Sequence, residues 1–554
     1  MEKVPSFNAL IENAIITHWD RDALTDYKGV TLQYHDVARK IEKLHIMFNY
    51  SGIKPGDRIA ICGRNSSLWA CAFLATVTYG AVVVPIQHEF TPDQIYHIVN
   101  HSESKLLFIG DVVSTSLDPE LMPHLDGIFY LPDFSLVTSR SETLTVAREH
   151  LNELYGQKYP KFFRKEHISY YKDDGEDLAM INYTSGTTGF SKGVMLPYRS
   201  LWSNIDFLYH ELGVKLQKNC NVLSILPMAH MYGLTCEFLL QFCCGNHLFF
   251  LTRVPSPTII QEAFMQIKPN VIISVPLIIE KIIRTNILPL VNNYRIRTMM
   301  KIPGLSKLIK ERLLQKVNEI MGGNVYEVVV GGASLSKEIE DLFTNIHFPI
   351  TVGYGTTETG PMISFSDHHN FVPGSCGTPA MHMEVKILSK DPANVAGELV
   401  TRGLNVMKGY YKNTKATNDV IDKDGWFHTG DLAKMSDDGH IFILGRIKNM
   451  LLGSNGQNVY PEEIEDRLNS MTMVSESLII QNGDKLVGLV HPDFSQAETL
   501  GISGDELQGV MEQNRKELNA KLPSYCKISE IRLQDKEFEK TPKKSIKRYL
   551  YQNK

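Results

Sequence analysis

Short β-branched runs alternate with helical patterns through the first two thirds of the chain, and that rhythm limits the possible folds more than any single residue does. Asp57-Arg58-Ile59-Ala60-Ile61-Cys62 reads as a strand, Ser67 to Gly80 carries helical periodicity, and Ala81-Val82-Val83-Val84-Pro85 reads as a second strand. The unit recurs at Val222 to Leu226, a helix beginning near Tyr232 and Leu248 to Leu251, and further strands follow at Val271 to Val275 and Val325 to Val330. Such units need crossover connections, so the sheets should be mainly parallel and covered by helices. From about Thr378 to Ile443 the strands shorten and Gly/Asp turns intervene, which predicts an antiparallel β subdomain. Beyond Gly445-Arg446-Ile447-Lys448 a helix from Pro461, strands at Ser477 to Ile480 and Lys485 to His491, and a helix near Asp505 to Leu522 predict a small α+β domain. The expected architecture is α/β: a large N-terminal domain (1–445) of two mainly parallel α/β sheets plus the antiparallel β subdomain, and a small C-terminal domain (446–554).

A chain of 554 residues exceeds one ordinary core and fits roughly two to four domains. A net charge of -5 gives no reason to expect nucleic acid as a partner. Eight cysteines, at 62, 71, 220, 236, 243, 244, 376 and 526, show neither metal-ligand spacing nor a disulfide framework, and fit a reducing cytoplasm. The longest greasy stretch, Phe238 to Leu251, is broken by Gln241, Gly245, Asn246 and His247, so no membrane span is expected. Peripheral association with a bilayer stays open, as does a monomer or homodimer.

Residues 183–193 read Tyr-Thr-Ser-Gly-Thr-Thr-Gly-Phe-Ser-Lys-Gly. Three glycines let the backbone turn tightly and approach a ligand, Thr184, Ser185, Thr187, Thr188 and Ser191 offer hydroxyls, and Lys192 adds a mobile positive charge. The composition suits phosphate, and the preceding apolar run Leu178 to Ile181 puts the loop at a strand end, where ligands collect. It is neither a Walker loop nor a dinucleotide fingerprint, because the glycine and lysine spacing matches neither.

Four further segments carry Gly, Tyr, Asp and His where a plain core strand would not want them. They are Leu226 to Gly233, Gly353-Tyr354-Gly355-Thr356-Thr357-Glu358, Gly425 to Asp431, and Gly445-Arg446-Ile447-Lys448 leading to Gly456 and on to Glu465. In this order and spacing, together with the 183–193 loop, they resemble the acyl-adenylate-forming (AMP-binding) enzymes, with long-chain fatty acid:CoA ligases among them. The resemblance spans essentially the whole chain.

What the resemblance implies is a two-step reaction. A carboxylate attacks the α-phosphate of ATP, and a thiol, usually that of coenzyme A, then displaces AMP. Thr184, Ser185, Gly186, Thr187, Thr188, Gly189 and Lys192 would clamp the departing pyrophosphate. Tyr354 and Gly355 would face the adenine beside Gly332 and Ala333, and Thr357 would touch the α-phosphate. Thr188 and Glu358 would hold Mg2+, and Asp431 with Arg446 would bind the ribose. Lys448 would be the hinge of a mobile C-terminal domain whose rotation brings Gly456 to the pantetheine arm. His230 would lie beside the acyl carboxylate.

Two positions depart from the family pattern. Ser191 stands where most relatives have proline, which leaves every donor in place. Relatives end in a Thr-Pro-Thr-Gly-Lys-Ile pattern whose lysine bridges the substrate carboxylate and the α-phosphate; here the chain reads Thr541-Pro542-Lys543-Lys544-Ser545-Ile546, with serine at the lysine position. Serine cannot neutralise the charge gathering there, so Lys544 is the expected substitute, ahead of Lys543 and Lys547. Acetate-activating relatives close the acyl pocket with a tryptophan where this chain has Gly355. Amino-acid-activating relatives place an aspartate beside the histidine, where this chain has Met231. Both points favour a long-chain fatty acid as substrate, with Tyr232 and Met231 as candidate walls of its tunnel. Aryl acids and medium-chain acids stay open as substrates, and two alternatives stay open for the function: a fatty-acyl-AMP ligase or acyl carrier protein synthetase, and a non-catalytic acyl-AMP-binding protein.

Overall fold

The computed structural model describes residues 4–184, 191–215, 219–253, 255–452, 458–483, 485–502, 504–540 and 546–552. Two large sheets dominate it. In the first, the strands run in the order Ile350–Val352, Glu327–Val330, Val271–Ser274, Asn221–Ser224, His247–Phe250, Asp22–Asp26 and Thr31–Gln33. All neighbours in it are parallel except the last pair. In the second the order is Gly409–Tyr410, Lys192–Pro197, Leu178–Thr184, Val82–Ile86, Arg58–Cys62, Leu106–Ile109, Gly127–Tyr130 and Ser135–Ser139. Its middle five strands are parallel and its outer ones antiparallel.

Both sheets press on a shared layer of helices. Ser67–Thr78 has almost no polar face and is buried nearly end to end, as a helix apolar all round must be. The adjoining π-helical turn Gly233–Leu239 is fully buried too, and Phe73 of one meets Phe238 of the other edge to face at 6.0 Å. A four-stranded antiparallel sheet, Met383–Leu388, Gly397–Gly403, Phe427–Met435 and Ile441–Arg446, follows. The last hundred residues build a three-stranded sheet, Val474–Asn482, Lys485–Pro492 and Ile528–Leu533, with the helices Pro461–Asn469 and Gly504–Lys521 over their own apolar core.

The region 378–443 is less uniform than its sequence implies. Thr378–Pro379 joins Tyr354–Gly355 and Met362–Phe365 in a separate small sheet, and Gly409–Tyr410 leaves for the edge of the second large sheet. That excursion depends on Gly409, whose φ of +130° no side chain tolerates easily and whose Cβ would sit 2.6 Å from Thr417.

Candidate active site

The strands Leu178–Thr184 and Lys192–Pro197 form a hairpin, and Thr184 and Lys192 are paired opposite each other as its last rung. They frame the hydroxyl-rich loop; Ser185, Gly186, Thr187, Thr188 and Gly189 lie outside the described residues. The ammonium of Lys192 sits over the ring of Tyr410, 4.7 Å from its centroid. Tyr410 in turn donates from its hydroxyl to Glu358 Oε1 at 2.9 Å. Sequence reasoning missed Tyr410, because a two-residue strand leaves no periodic signal. It arrives here because Gly409 and Tyr410 pair with Met195 and Val194, next to Lys192.

Glu358 projects from the tight turn Thr357–Thr359, where Thr357 is buried. Asn204, on the helix Tyr198–Glu211, fixes that turn by donating to the Thr359 carbonyl at 3.1 Å and accepting from the Met362 N–H at 2.9 Å. The Glu358 carbonyl also accepts from the Met407 N–H, which ties the turn to the segment leading into the Tyr410 strand. Among the described residues no group of three or more His, Cys, Asp or Glu could hold a metal. One carboxylate with part of its capacity free suits Mg2+, which is bound by one or two carboxylates, water and substrate phosphates rather than by a protein cage.

A second cluster forms where the antiparallel sheet meets the small sheet. Asp431 and Arg446 are register partners on adjacent strands, and Arg446 Nε donates to Asp431 Oδ1 at 2.7 Å. The Tyr354 hydroxyl donates to the other oxygen, Oδ2, at 2.5 Å. Burial raises the Asp431 carboxyl above its ordinary value while Arg446 pulls it down. A carboxylate has about four acceptor positions, so Asp431 can hold both partners and still accept from two ligand hydroxyls. Lys448 lies near enough to feel this cluster: burial lowers its amine, Arg446 and Lys192 lower it further, and Asp431 opposes them. The geometry therefore gathers Lys192, Tyr354, Glu358, Asp431, Arg446 and Lys448 with the unforeseen Tyr410.

Gly331, Gly332 and Ala333 follow the strand Glu327–Val330 at its C-terminal end. Gly332 has φ +84°, and a Cβ on Gly331 would press on the Tyr232 ring at 3.1 Å. Tyr232 is thus packed directly beneath this turn, its hydroxyl donating to the carbonyls of Val329 at 3.0 Å and Ser274 at 3.3 Å. Met231 is fully buried in the main core, and His230 is half-buried, its Nδ1 accepting from the Tyr232 N–H at 3.3 Å.

Gly355 calls for a different explanation from an opened acyl slot. Its Cβ would lie 1.9 Å from the Pro361 carbonyl oxygen and 2.7 Å from the Pro361 carbonyl carbon, both backbone. The close pairing of Tyr354–Gly355 with Met362–Phe365 accounts for the glycine by itself, so its lack of a side chain carries no information about acyl length.

The segment preceding His230 is held by three residues that sequence reasoning passed over. Asn65 donates to the Leu226 carbonyl at 2.6 Å and accepts from the Met228 N–H at 2.8 Å, and Asn182 donates to the Ala229 carbonyl at 2.9 Å. From inside, the fully buried Glu237 accepts from Ser224 Oγ at 2.9 Å and from the N–H groups of Ile225 and Leu226. A lone carboxylate within Leu234 to Phe242 was the available signal. Desolvation pushes its carboxyl up to about 8, against those three donors.

This placement has a consequence for stability. The native state holds a proton that the unfolded chain releases above pH 4.5, so Glu237 costs stability progressively as pH rises from about 4.5 to 8 and levels off beyond. Glu237→Gln keeps the acceptor and removes the titration. Relative to the parent it is expected to gain stability between pH 5 and pH 8.5, on the order of a few kcal/mol, read as the difference in apparent unfolding temperature at the two pH values. A difference independent of pH would show the carboxylate to be ordinary.

Known proteins resemble the chain along nearly its whole length. The AMP-binding enzyme profile matches residues 11–411 and the AMP-binding enzyme C-terminal domain profile matches residues 448–554. The chain is 28% identical to 4-coumarate–CoA ligase 5 of Oryza sativa subsp. japonica, over 88% of this chain and 85% of that one. It is 27% identical to a long-chain-fatty-acid–CoA ligase of Salmonella typhimurium, over 84% of this chain and 81% of that one. Among solved structures, the anthranilate CoA ligase AuaEII in complex with anthranoyl-AMP superposes with a TM-score of 0.78 at 16% identity, covering 99% of this chain and 97% of that one. The chain therefore belongs to the AMP-binding enzyme family, the superfamily of adenylate-forming acyl- and aryl-CoA ligases.

Proposed function

We propose that the protein is an AMP-forming ligase that activates a long-chain fatty acid with ATP and transfers the acyl group to coenzyme A. The observation that carries the adenylating reading is the Tyr354–Asp431–Arg446 cluster standing within electrostatic reach of Lys448 and Lys192. In this reading the free acceptor positions of Asp431 take the ribose hydroxyls and the Tyr354 ring, fixed through its hydroxyl, faces the adenine. Lys192 and the 184–189 loop take the β- and γ-phosphates. Bound at Glu358, and on the loop at Thr188, Mg2+ supplies charge neutralisation of the triphosphate. The same reading makes Lys448 the pivot, and the part of the C-terminal domain beyond it the moving piece.

A fatty acid is favoured over an amino acid because the segment Leu226 to Gly233 around His230 contains no carboxylate to pair an α-ammonium. Glu237 is the carboxylate nearest in sequence to the His230 segment, and its oxygens are committed to Ser224, Ile225 and Leu226. A buried ammonium without a partner is costly, so amino acids are poor substrates for this pocket. The long-chain ligase among the relatives agrees with this, and the coumarate and anthranilate ligases supply the competing aryl acids.

The test is product analysis by mass spectrometry after incubation with ATP, Mg2+ and a mixture of fatty acids, 4-coumarate and anthranilate, with and without CoA. Long-chain acyl-CoA and AMP formed only with CoA support the proposal. An aryl-CoA as sole product overturns the acid assignment, and acyl-AMP that never becomes acyl-CoA moves the acceptor to a carrier protein. The Tyr410 contact makes a separate prediction. Tyr410→Phe keeps the ring under Lys192 but removes the hydrogen bond to Glu358, and adenylation is expected to fall about tenfold, with a higher Mg2+ concentration needed for half-maximal rate. An unchanged Mg2+ dependence would separate Tyr410 from metal binding.

A further inference from the structure

The crossover between the strands Val271–Ser274 and Glu327–Val330 is built from helices that leave an unusual surface. Between Lys281 and Lys310 the chain has seven Lys and Arg and no Asp or Glu, in a protein whose net charge is -5. Arg284 pairs with Glu338 at 2.8 Å, whereas Arg295, Arg297, Lys301 and Lys307 make no ion pair among the described residues. Interleaved with them are large apolar side chains in water: Tyr294 is 82% exposed, Leu308 57%, Ile302 50% and Leu290 45%, with Met299 and Leu305 at 37% each.

Elementary burial accounting makes this arrangement strange for a free surface. The helix Tyr294–Met299 has no buried residue at all. The next helix, Pro303–Ile320, is seated on the core by Ile309, Leu313 and Val317, which lie four residues apart on one face. Leu305 begins the same stripe, four residues before Ile309, yet stays 37% exposed in the first turn, and Leu308 lies off the stripe at 57%. Single exposed apolar residues are ordinary, but six of them within nineteen residues, interleaved with cations that make no ion pair among the described residues, are a concentration of the kind that marks an interaction surface.

We propose that this face, residues 289–308, docks the protein on an anionic lipid surface. Basic side chains reach lipid phosphates while the tyrosine, leucines, isoleucine and methionine enter the headgroup–acyl boundary, the division of labour of interfacial helices. Charge complementarity selects the occupant: an acidic protein meets an anionic bilayer only through a locally basic face. Nucleic acid would take up the cations but offers nothing for the four aliphatic side chains of 299–308. The patch is also well placed. The helix Pro276–Asn286, which leads into it, starts two residues after Ser274, whose carbonyl accepts the Tyr232 hydroxyl beside the candidate acid pocket. Docking stands independently of the fatty acid assignment. Its use, collecting a membrane-dissolved acid, rests on that assignment.

The experiment is co-sedimentation of the full chain, without substrates, with phosphatidylcholine vesicles that do or do not contain phosphatidylglycerol. The parent should bind only the anionic vesicles and be released by salt. The triple variant Arg295→Glu, Arg297→Glu, Lys301→Glu is expected to lose affinity about tenfold or more. The double variant Met299→Ser, Ile302→Ser should also bind more weakly, although its charge is unchanged. Both should retain the parent's turnover on acid supplied from cyclodextrin, which shows that they fold. Equal binding to neutral vesicles, no vesicle binding by the parent, or undiminished binding by either variant would overturn the proposal. So would a parent that elutes as a dimer which the double variant makes monomeric, because a second copy would then be the occupant. Vesicle binding by a protein that turns over only aryl acids would leave docking intact and remove the fatty acid reading alone.

Discussion

Asp431→Ala is expected to slow formation of the acyl-adenylate about a hundredfold or more, the largest effect of any single change outside the phosphate loop. The carboxylate is only 4% exposed and has two partners that face it from different sheets. Removing it leaves the half-exposed Arg446 guanidinium without its counter-ion and the Tyr354 hydroxyl without its acceptor, and takes away the charged acceptor for two ligand hydroxyls, hydrogen bonds worth about 1.5–3 kcal/mol each. At 1.36 kcal/mol per decade, losing both gives roughly two to four decades in rate if the cluster binds nucleotide in the transition state. Asp431→Asn is the informative companion. It can still accept from Tyr354 but cannot balance Arg446, so its rate should fall between parent and alanine variant. ATP–pyrophosphate exchange measures the step directly. A loss under about threefold in Asp431→Ala, with the fold intact by circular dichroism, would remove the cluster from nucleotide binding.

Lys544→Ala is expected to reduce adenylation about a hundredfold while leaving the transfer of a supplied acyl-AMP to CoA nearly unchanged. Residues 541–545 lie outside the described residues, but their flanks are informative. Lys540 bridges Ile546 in antiparallel fashion and is ion-paired with Glu476, and Arg548 pairs with the buried Glu465 at 2.7 Å. The ends of the segment are therefore fastened to the small domain. Lys547 already reaches Glu539 at 3.4 Å, which weakens its claim as the free cation. Lys543→Ala and Lys547→Ala should accordingly lose little. An intact exchange rate in Lys544→Ala would defeat the assignment, and a large loss in Lys543→Ala alone would transfer it by one residue.

Central strands such as Arg58–Cys62, Val82–Ile86, Val271–Ser274 and Glu327–Val330 were legible because β-branched runs of four to six residues and an all-apolar helix at Ser67–Thr78 leave strong local signals, whereas outer strands such as Asp22–Asp26, Ser135–Ser139 and Ile350–Val352 were not read. Tyr354, Glu358, Asp431 and Arg446 could be singled out because each stands in a run rich in glycine or hydroxyls, where a core strand would not place it. Contacts between distant short elements were not legible. Tyr410 reaches Glu358 from fifty-two positions away on a strand of two residues, and its neighbour Gly409 announces a turn without saying which sheet the chain will join. Glu237 was hidden for the opposite reason: its run looks like plain core, and its three hydrogen-bond donors are backbone or serine groups that no pattern marks. Gly355 misled because a glycine in a strand has two explanations, an empty site or a close backbone, and only coordinates distinguish them. The basic, apolar crossover at 281–310 went unread in the sequence, since its helices carry the same apolar residues as buried ones and only coordinates show them exposed.

The pairing of Asp431 with Arg446 across two strands of the antiparallel sheet also bears on timing. If the cap pivots at Lys448, both halves of that pair lie on the stationary side, with Arg446 just two residues short of the pivot. The changeover between half-reactions would then never loosen the grip on the sugar. A labile mixed anhydride made in the first arrangement would be carried through to the second without being offered to bulk water, and AMP would be among the last species to leave.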